Sequence, residues 1–166
     1  QWTATISAYT QEIGVSLKQY SFLWTINGAL IVLGQPIVNK FIYAFMRKVK
    51  LQMIVGMVIF MGSFAVAAFA TDFSGFLTAM IILTIGEMLV WPAVPTIASE
   101  LAPQGKEGFY QGIVNSTATA GRMVGPLLGG LLVDHYGMQM MFIVLMALFV
   151  VAIGTTILYD KMLRRN

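Results

Sequence analysis

Five apolar stretches run through the chain, at roughly 21–45, 51–70, 75–99, 108–133 and 139–159. Each is long enough to cross a hydrocarbon layer of roughly 30 Å, which takes about 20 residues of helix. None alternates apolar with polar positions for about ten residues, as a membrane strand would. The pattern therefore predicts five transmembrane helices. Charged and turn-forming clusters separate them at 47–50, 71–75, 102–106 and 134–137. Residues 1–13 are mildly apolar and helix-compatible but only half a crossing in length. They read as the outer end of a helix whose earlier part is absent, so the chain reads as a piece of something longer.

Composition agrees with the pattern. Hydrophobic residues make up 58% of the 166 positions and charged residues 10%, with a mean hydropathy of +0.80. A soluble domain of this size could not hide that much apolar surface in one core. The absence of cysteine excludes thiolate metal sites and disulfides, and a lone histidine, His135, builds no metal site. No cofactor is implied. The net charge of +3 is spread between apolar runs, so it points to a bilayer and not to nucleic acid. If the spans alternate, Arg47, Lys48, Lys50, Lys106, Lys161, Arg164 and Arg165 share one side, and the opposite loops carry only Lys18. By the positive-inside rule the C-terminus is cytoplasmic, and the 14–20, 71–74 and 134–138 loops face outward.

At an offset of 90 residues Tyr20 and Pro36 match Tyr110 and Pro126, and the run 51–70 matches 141–160. With alternating topology this predicts an inverted three-plus-three helix repeat, a construction of secondary transporters. The 51–70 and 139–159 helices are apolar all round and suit a lipid-facing periphery. The other three carry polar residues at depth: Thr25, Asn27 and Gln35; Glu87; Gln111, Asn115, Thr119 and Arg122. Gln111, Asn115, Ala118 and Arg122 follow helical spacing and form one stripe, which must face protein or water.

Glu87 and Arg122 are the charges deepest in apolar sequence, both near the expected bilayer midplane. Inserting either costs on the order of 2.5–3.5 kcal/mol, a cost that persists where the residue has a task or a partner. Either Glu87 takes up and releases a proton, or the two residues form a static ion pair. Arg122 stays protonated, so it can bind an anion or tune Glu87 but cannot carry a proton cycle. Gly121, Gly125 and Gly129 repeat every four residues and offer a smooth face for close helix approach. Pro126, beside Gly125 and followed by Gly130, permits a bend there, and Pro92 and Pro95 do the same just beyond Glu87.

These residues carry a resemblance. Gly86-Glu87 with Pro92 downstream, Glu100-Leu101-Ala102-Pro103 leading to Gly108-Phe109-Tyr110-Gln111-Gly112, and Gly125-Pro126 with Gly129-Gly130 and Asp134 resemble the major facilitator superfamily. Specifically, the chain is similar to the C-terminal six-helix half of bacterial multidrug/proton antiporters. The likeness spans residues 1–166, from a partial seventh helix to the twelfth, with the N-terminal half absent from this sequence. It implies an all-α integral membrane fold of twelve helices, a cavity between halves, alternating access and a bacterial cytoplasmic membrane location. It also implies efflux of hydrophobic, often cationic small molecules against proton entry, with the N-terminal half as partner. Two features depart from the pattern: the 47–50 loop lacks a Gly-Asp-Arg-Gly signature, and Arg122 stands in the glycine-rich helix.

Trp24 and Trp91 could line a pocket for flat cations, and twelve methionines could make it adaptable, although such residues more often pack or touch lipid. Trp2, Tyr20, Tyr136 and Tyr159 lie near span ends, as interfacial anchors do. Two other readings stand beside proton-coupled efflux. One is a proton-coupled carrier of an anionic or neutral metabolite held by Arg122. The other is a non-transporting membrane module that assembles with a partner. No ligand cluster, paired catalytic carboxylates or Ser–His arrangement suggests an enzyme.

Overall fold

The computed structural model describes residues 1–46 and 48–163. They form six helices in chain order: α1 (Thr5–Glu12), α2 (Leu17–Phe45), α3 (Val49–Phe69), α4 (Phe73–Leu101), α5 (Glu107–Tyr136) and α6 (Met138–Leu163). Arg47, Arg164 and Arg165, part of the expected basic side, lie outside the described residues, as do the side chains of Lys161 and Tyr159.

Local chemistry explains where the helices begin and end. Ser16 and Gln19 close a capping box, each satisfying an amide of the other, so α2 starts four residues earlier than its apolar run. Asp72 caps α4 by accepting from the Gly75 amide at 2.9 Å. The expected 134–138 loop shrinks to one residue. Asp134, His135 and Tyr136 stay helical, and Gly137 reverses the chain at φ 81° before α6 begins. A side chain would resist that left-handed conformation, which glycine adopts freely.

Among the described residues, four helices are long and apolar enough to cross a membrane: α2 over Leu17–Ile42, α3, α4, and α6 over Met138–Leu158. The α5 helix has the length, at 30 residues, but its polar stripe makes it less apolar. Helix α4 is the hub, touching α2, α3 and α5. Its contact with α3 is the most extensive in the molecule, so α3 is not the uniformly lipid-facing helix its composition suggested. Gln52, Gly56, Ser63, Phe64 and Ala67 of α3 are buried, with the Ser63 hydroxyl donating to the Ala79 carbonyl at 2.7 Å. Helix α6 keeps Ile143, Leu148, Val150 and Val151 exposed, as a peripheral helix should.

The core lies at one end of the bundle. Phe64, Ala67, Phe76, Met80, Met141 and Phe142 meet there, with Trp2, Ile6, Tyr20 and Leu23 from the N-terminal end. Trp2 and Tyr20 are therefore packed side chains and not surface anchors: both are buried, and the Tyr20 hydroxyl donates to the Trp2 carbonyl. The reason is tertiary: α1 folds onto α2 and α5 and covers the ring that a lone helix end would leave at the interface. Tyr136 is 69% exposed.

Candidate functional site

Above this core, residues 1–3 and side chains of α2 to α6 line an open cavity of about 600 Å³. Its walls include Trp24, Glu87, Trp91, Gln111, Asn115 and Arg122, with Phe60, Phe64 and Phe149 as an aromatic side. The volume falls within the range of small-molecule sites, ~300–1,000 Å³. A second, smaller cavity of about 290 Å³ lies between α2 and α4, lined by Asn27, Ile31, Gln35, Glu87, Met88 and Trp91. Glu87 and Trp91 belong to both.

Glu87 is held by a neutral donor. Asn27 on α2 is buried and directs one amide hydrogen to Glu87 Oε2 at 2.6 Å and the other to Thr84 Oγ1 at 2.9 Å. Thr84 in turn donates to the Met80 carbonyl at 2.7 Å, which leaves its oxygen free to accept from Asn27. Arg122 takes no part in this network. Its guanidinium carbon lies 5.8 Å from the centre of the Trp91 ring, a cation–π placement. No ion pair joins Arg122 to Glu87, although both side chains face one cavity.

Two glutamines brace α4 just before Pro92. Pro92 has no amide hydrogen, so the Met88 carbonyl one turn earlier loses its helical partner. Gln35 supplies the missing donor from α2, at 3.1 Å, while also donating to Asn39 at 2.9 Å. Gln52, buried on α3, donates to the neighbouring Leu89 carbonyl at 2.8 Å. Gln111 bridges α5 to the same helix, donating to the Pro95 carbonyl at 2.6 Å and to Ser99 at 2.9 Å.

The remaining expected residues are dispersed. Thr25 donates to the Ser21 carbonyl and lines a separate hollow beside Lys18 and Phe73. Thr119 donates to the Asn115 carbonyl at 2.9 Å. Gly121, Gly125 and Pro126 line a hollow of about 330 Å³ with Arg122 and Gln1. Gly129 packs against the Gln1 side chain, whose amide donates to the Gly125 carbonyl at 2.6 Å, whereas Gly121 and Gly130 face open space. Two glycines on different helices, Gly56 of α3 and Gly86 of α4, face each other's backbone. A methyl at Gly56 would lie 3.2 Å from the Gly86 carbonyl, and one at Gly86 3.1 Å from the Gly56 carbonyl. Thr84, Gln52 and Gly56 are the residues sequence reasoning missed. Gln52 alone carried a signal, as an amide inside an apolar run.

Among the described residues no group of three or more His, Cys, Asp or Glu is placed to hold a metal ion. What the cavity offers is one carboxyl group, one guanidinium and aromatic walls: the means to bind a small organic molecule.

Comparison with known proteins identifies the family. The chain is 58% identical over 164 residues to the uncharacterised MFS-type transporter YttB of Bacillus subtilis, covering 99% of this chain and 41% of that protein. It is 29% identical over 131 residues to the uncharacterised MFS-type transporter YcnB of the same organism, covering 79% of this chain and 26% of YcnB. It is 30% identical over 70 residues to the multidrug resistance protein MdtG of Escherichia fergusonii, covering 42% of this chain and 17% of MdtG. The chain thus spans about two fifths or less of each of these relatives. With its apolar helices, this marks a multi-pass membrane protein. The family model of the Major Facilitator Superfamily matches residues 2–163, and the chain belongs to that superfamily of transporters.

Proposed function

We propose that residues 1–166 form the C-terminal six-helix part of a proton-coupled secondary transporter that exports hydrophobic or cationic small molecules by alternating access. The observation that carries this reading is the setting of Glu87. It stands in the common wall of two cavities and is held by Asn27, not by Arg122. A carboxyl group held by an amide can gain and lose a proton without abandoning a buried cation, which a static ion pair would forbid. A cationic substrate and a proton then compete for one oxygen pair, and that competition couples their movements. Export draws on the name of the MdtG relative, a multidrug resistance protein, and on aromatic walls suited to flat cations.

The same reading makes α5 a fifth span, its polar face turned to the cavity, and α1 the end of a sixth. The inverted repeat is supported by the helix bounds: adding 90 to α2 gives 107–135, against Glu107–Tyr136 for α5. Adding 90 to α3 gives 139–159, and α6 begins at Met138. The N-terminal half is the expected partner, and the bacterial cytoplasmic membrane the location, with the C-terminus inside on the Lys/Arg asymmetry. A second reading, carriage of an anionic or neutral metabolite, is favoured by the Arg122 guanidinium facing the cavity without a carboxylate.

Glu87→Gln keeps the side-chain shape and removes the titration. In the full-length protein it should abolish uncoupler-sensitive efflux while leaving expression and helix content intact. Undiminished gradient-driven efflux by that variant would reduce Glu87 to a structural residue.

A further inference from the structure

The cavity contains both signs of charge without pairing them. Glu87 is engaged by Asn27 on one oxygen, and Arg122 rests against Trp91 with no hydrogen-bond acceptor among the described residues. Trp91 follows Glu87 by one helical turn, so the two share a face of α4 and the indole is the surface between the charges. A purely cationic ligand at Glu87 would bring a like charge towards Arg122. A purely anionic ligand at Arg122 would bring one towards Glu87. Either leaves one of the two protein charges without a partner. A molecule carrying both charges answers both.

We propose that the substrate of the ~600 Å³ cavity is a zwitterion: a flat, mostly apolar molecule with a cationic amine at one end and a carboxylate at the other. The amine addresses Glu87, the carboxylate addresses the guanidinium of Arg122, and the ring lies along Trp91 and the aromatic wall of Phe60, Phe64 and Phe149. Such a ligand brings no net charge into the membrane interior, yet satisfies two specific partners. Arg122 then sets specificity, and the glycines beside it, Gly121 and Gly125, line a hollow of about 330 Å³ together with Arg122 itself.

The proposal rests on the transport reading, but it is tested at equilibrium, without a gradient. Three probes share one ring system: 6-(aminomethyl)-2-naphthoate, 2-naphthylmethylamine and 2-naphthoate. Their binding to the full-length protein in lipid nanodiscs is measured by equilibrium dialysis near neutral pH. The zwitterion should bind at least about tenfold more tightly than either singly charged probe. Arg122→Gln should bring the zwitterion down to the level of the amine without weakening the amine, and Glu87→Gln should bring it to the level of the naphthoate. Arg122→Lys, which keeps the charge, should retain part of the preference and show that the fold survives substitution there. Equal binding of amine and zwitterion by the unmodified protein would overturn the proposal. So would an Arg122→Gln variant that weakens all three probes alike, or no saturable binding of any probe. Loss of proton-driven flux with this binding pattern intact would overturn the transport reading alone.

Discussion

Asn27 directs both of its amide hydrogens across to α4, one to Thr84 and one to Glu87, and is itself buried. Replacing it with Leu leaves the buried Thr84 hydroxyl and the half-buried Glu87 carboxyl without their donor. The expected loss is about 1–3 kcal/mol of stability, measurable by denaturation in detergent micelles. Asn27 and Glu87 were each legible as polar residues inside apolar runs, but not as partners. They are 60 residues apart, and only the packing of α2 on α4 brings them together. Asp72 shows the opposite case, because its role is local. The Gly75 amide, and then the Ser74 hydroxyl, hold its carboxyl below the usual carboxylate range. A lowered folded value means that the stabilisation of the α4 start is present above the unfolded value and is lost as pH falls through the folded one. Protection of the Gly75 amide from hydrogen exchange should therefore decline only under strongly acid conditions. In Asp72→Asn, which keeps an acceptor but cannot titrate, that pH dependence should disappear.

Within α4, Pro92 and Pro95 lie inside one continuous helix, and α2 supplies the donor that Pro92 removes. The Met88 carbonyl accepts from Gln35 and the Leu89 carbonyl from Gln52. Gln35→Leu should cost about 1–3 kcal/mol, since it strands a carbonyl that has no helical donor. Pro92→Ala restores the amide, so the same Gln35→Leu change should cost markedly less in that background. A double-mutant cycle measures the difference, and strict additivity would show that the amide is not repairing the bend. Where α3 crosses α4, a methyl at Gly56 would approach Val90 to 2.5 Å, so Gly56→Ala should destabilise by about 1–3 kcal/mol through overpacking. Pro92 was visible in the sequence, but its compensation by Gln35 was not, because an amide on another helix leaves no local periodicity. Glycine spacing was similarly incomplete information. The stripe on α5 shows where a helix could approach, whereas Gly56 and Gly86, on different helices, show where one does.

For the whole molecule, five apolar runs were enough to place the long helices to within about four residues, because a membrane demands length and apolarity of each segment separately. The core was less legible: lipid tails are as apolar as leucine, so burial in a membrane protein is decided by shape and hydrogen bonding more than by composition. That is why α3 could read as peripheral and yet form the largest contact. The same reasoning bears on what 166 residues can do alone. The apolar side chains that α2 leaves open, Val32 and Leu33 at 73% exposure and Ile37 at 71%, would be content in lipid. The open face of α5 would not: Asn115, Thr119 and Arg122 are exposed there and need water or protein beside them. If that face meets a second six-helix half, as proposed, alternating access requires both halves, since the route from side to side lies between them. Purified residues 1–166 in proteoliposomes should then insert and keep their helical content yet give no uncoupler-sensitive flux. Co-reconstitution with the remaining half of the full-length protein should restore it. Sustained proton-driven flux from the partner-free chain would mean that the cavity of about 600 Å³ is itself a complete pathway.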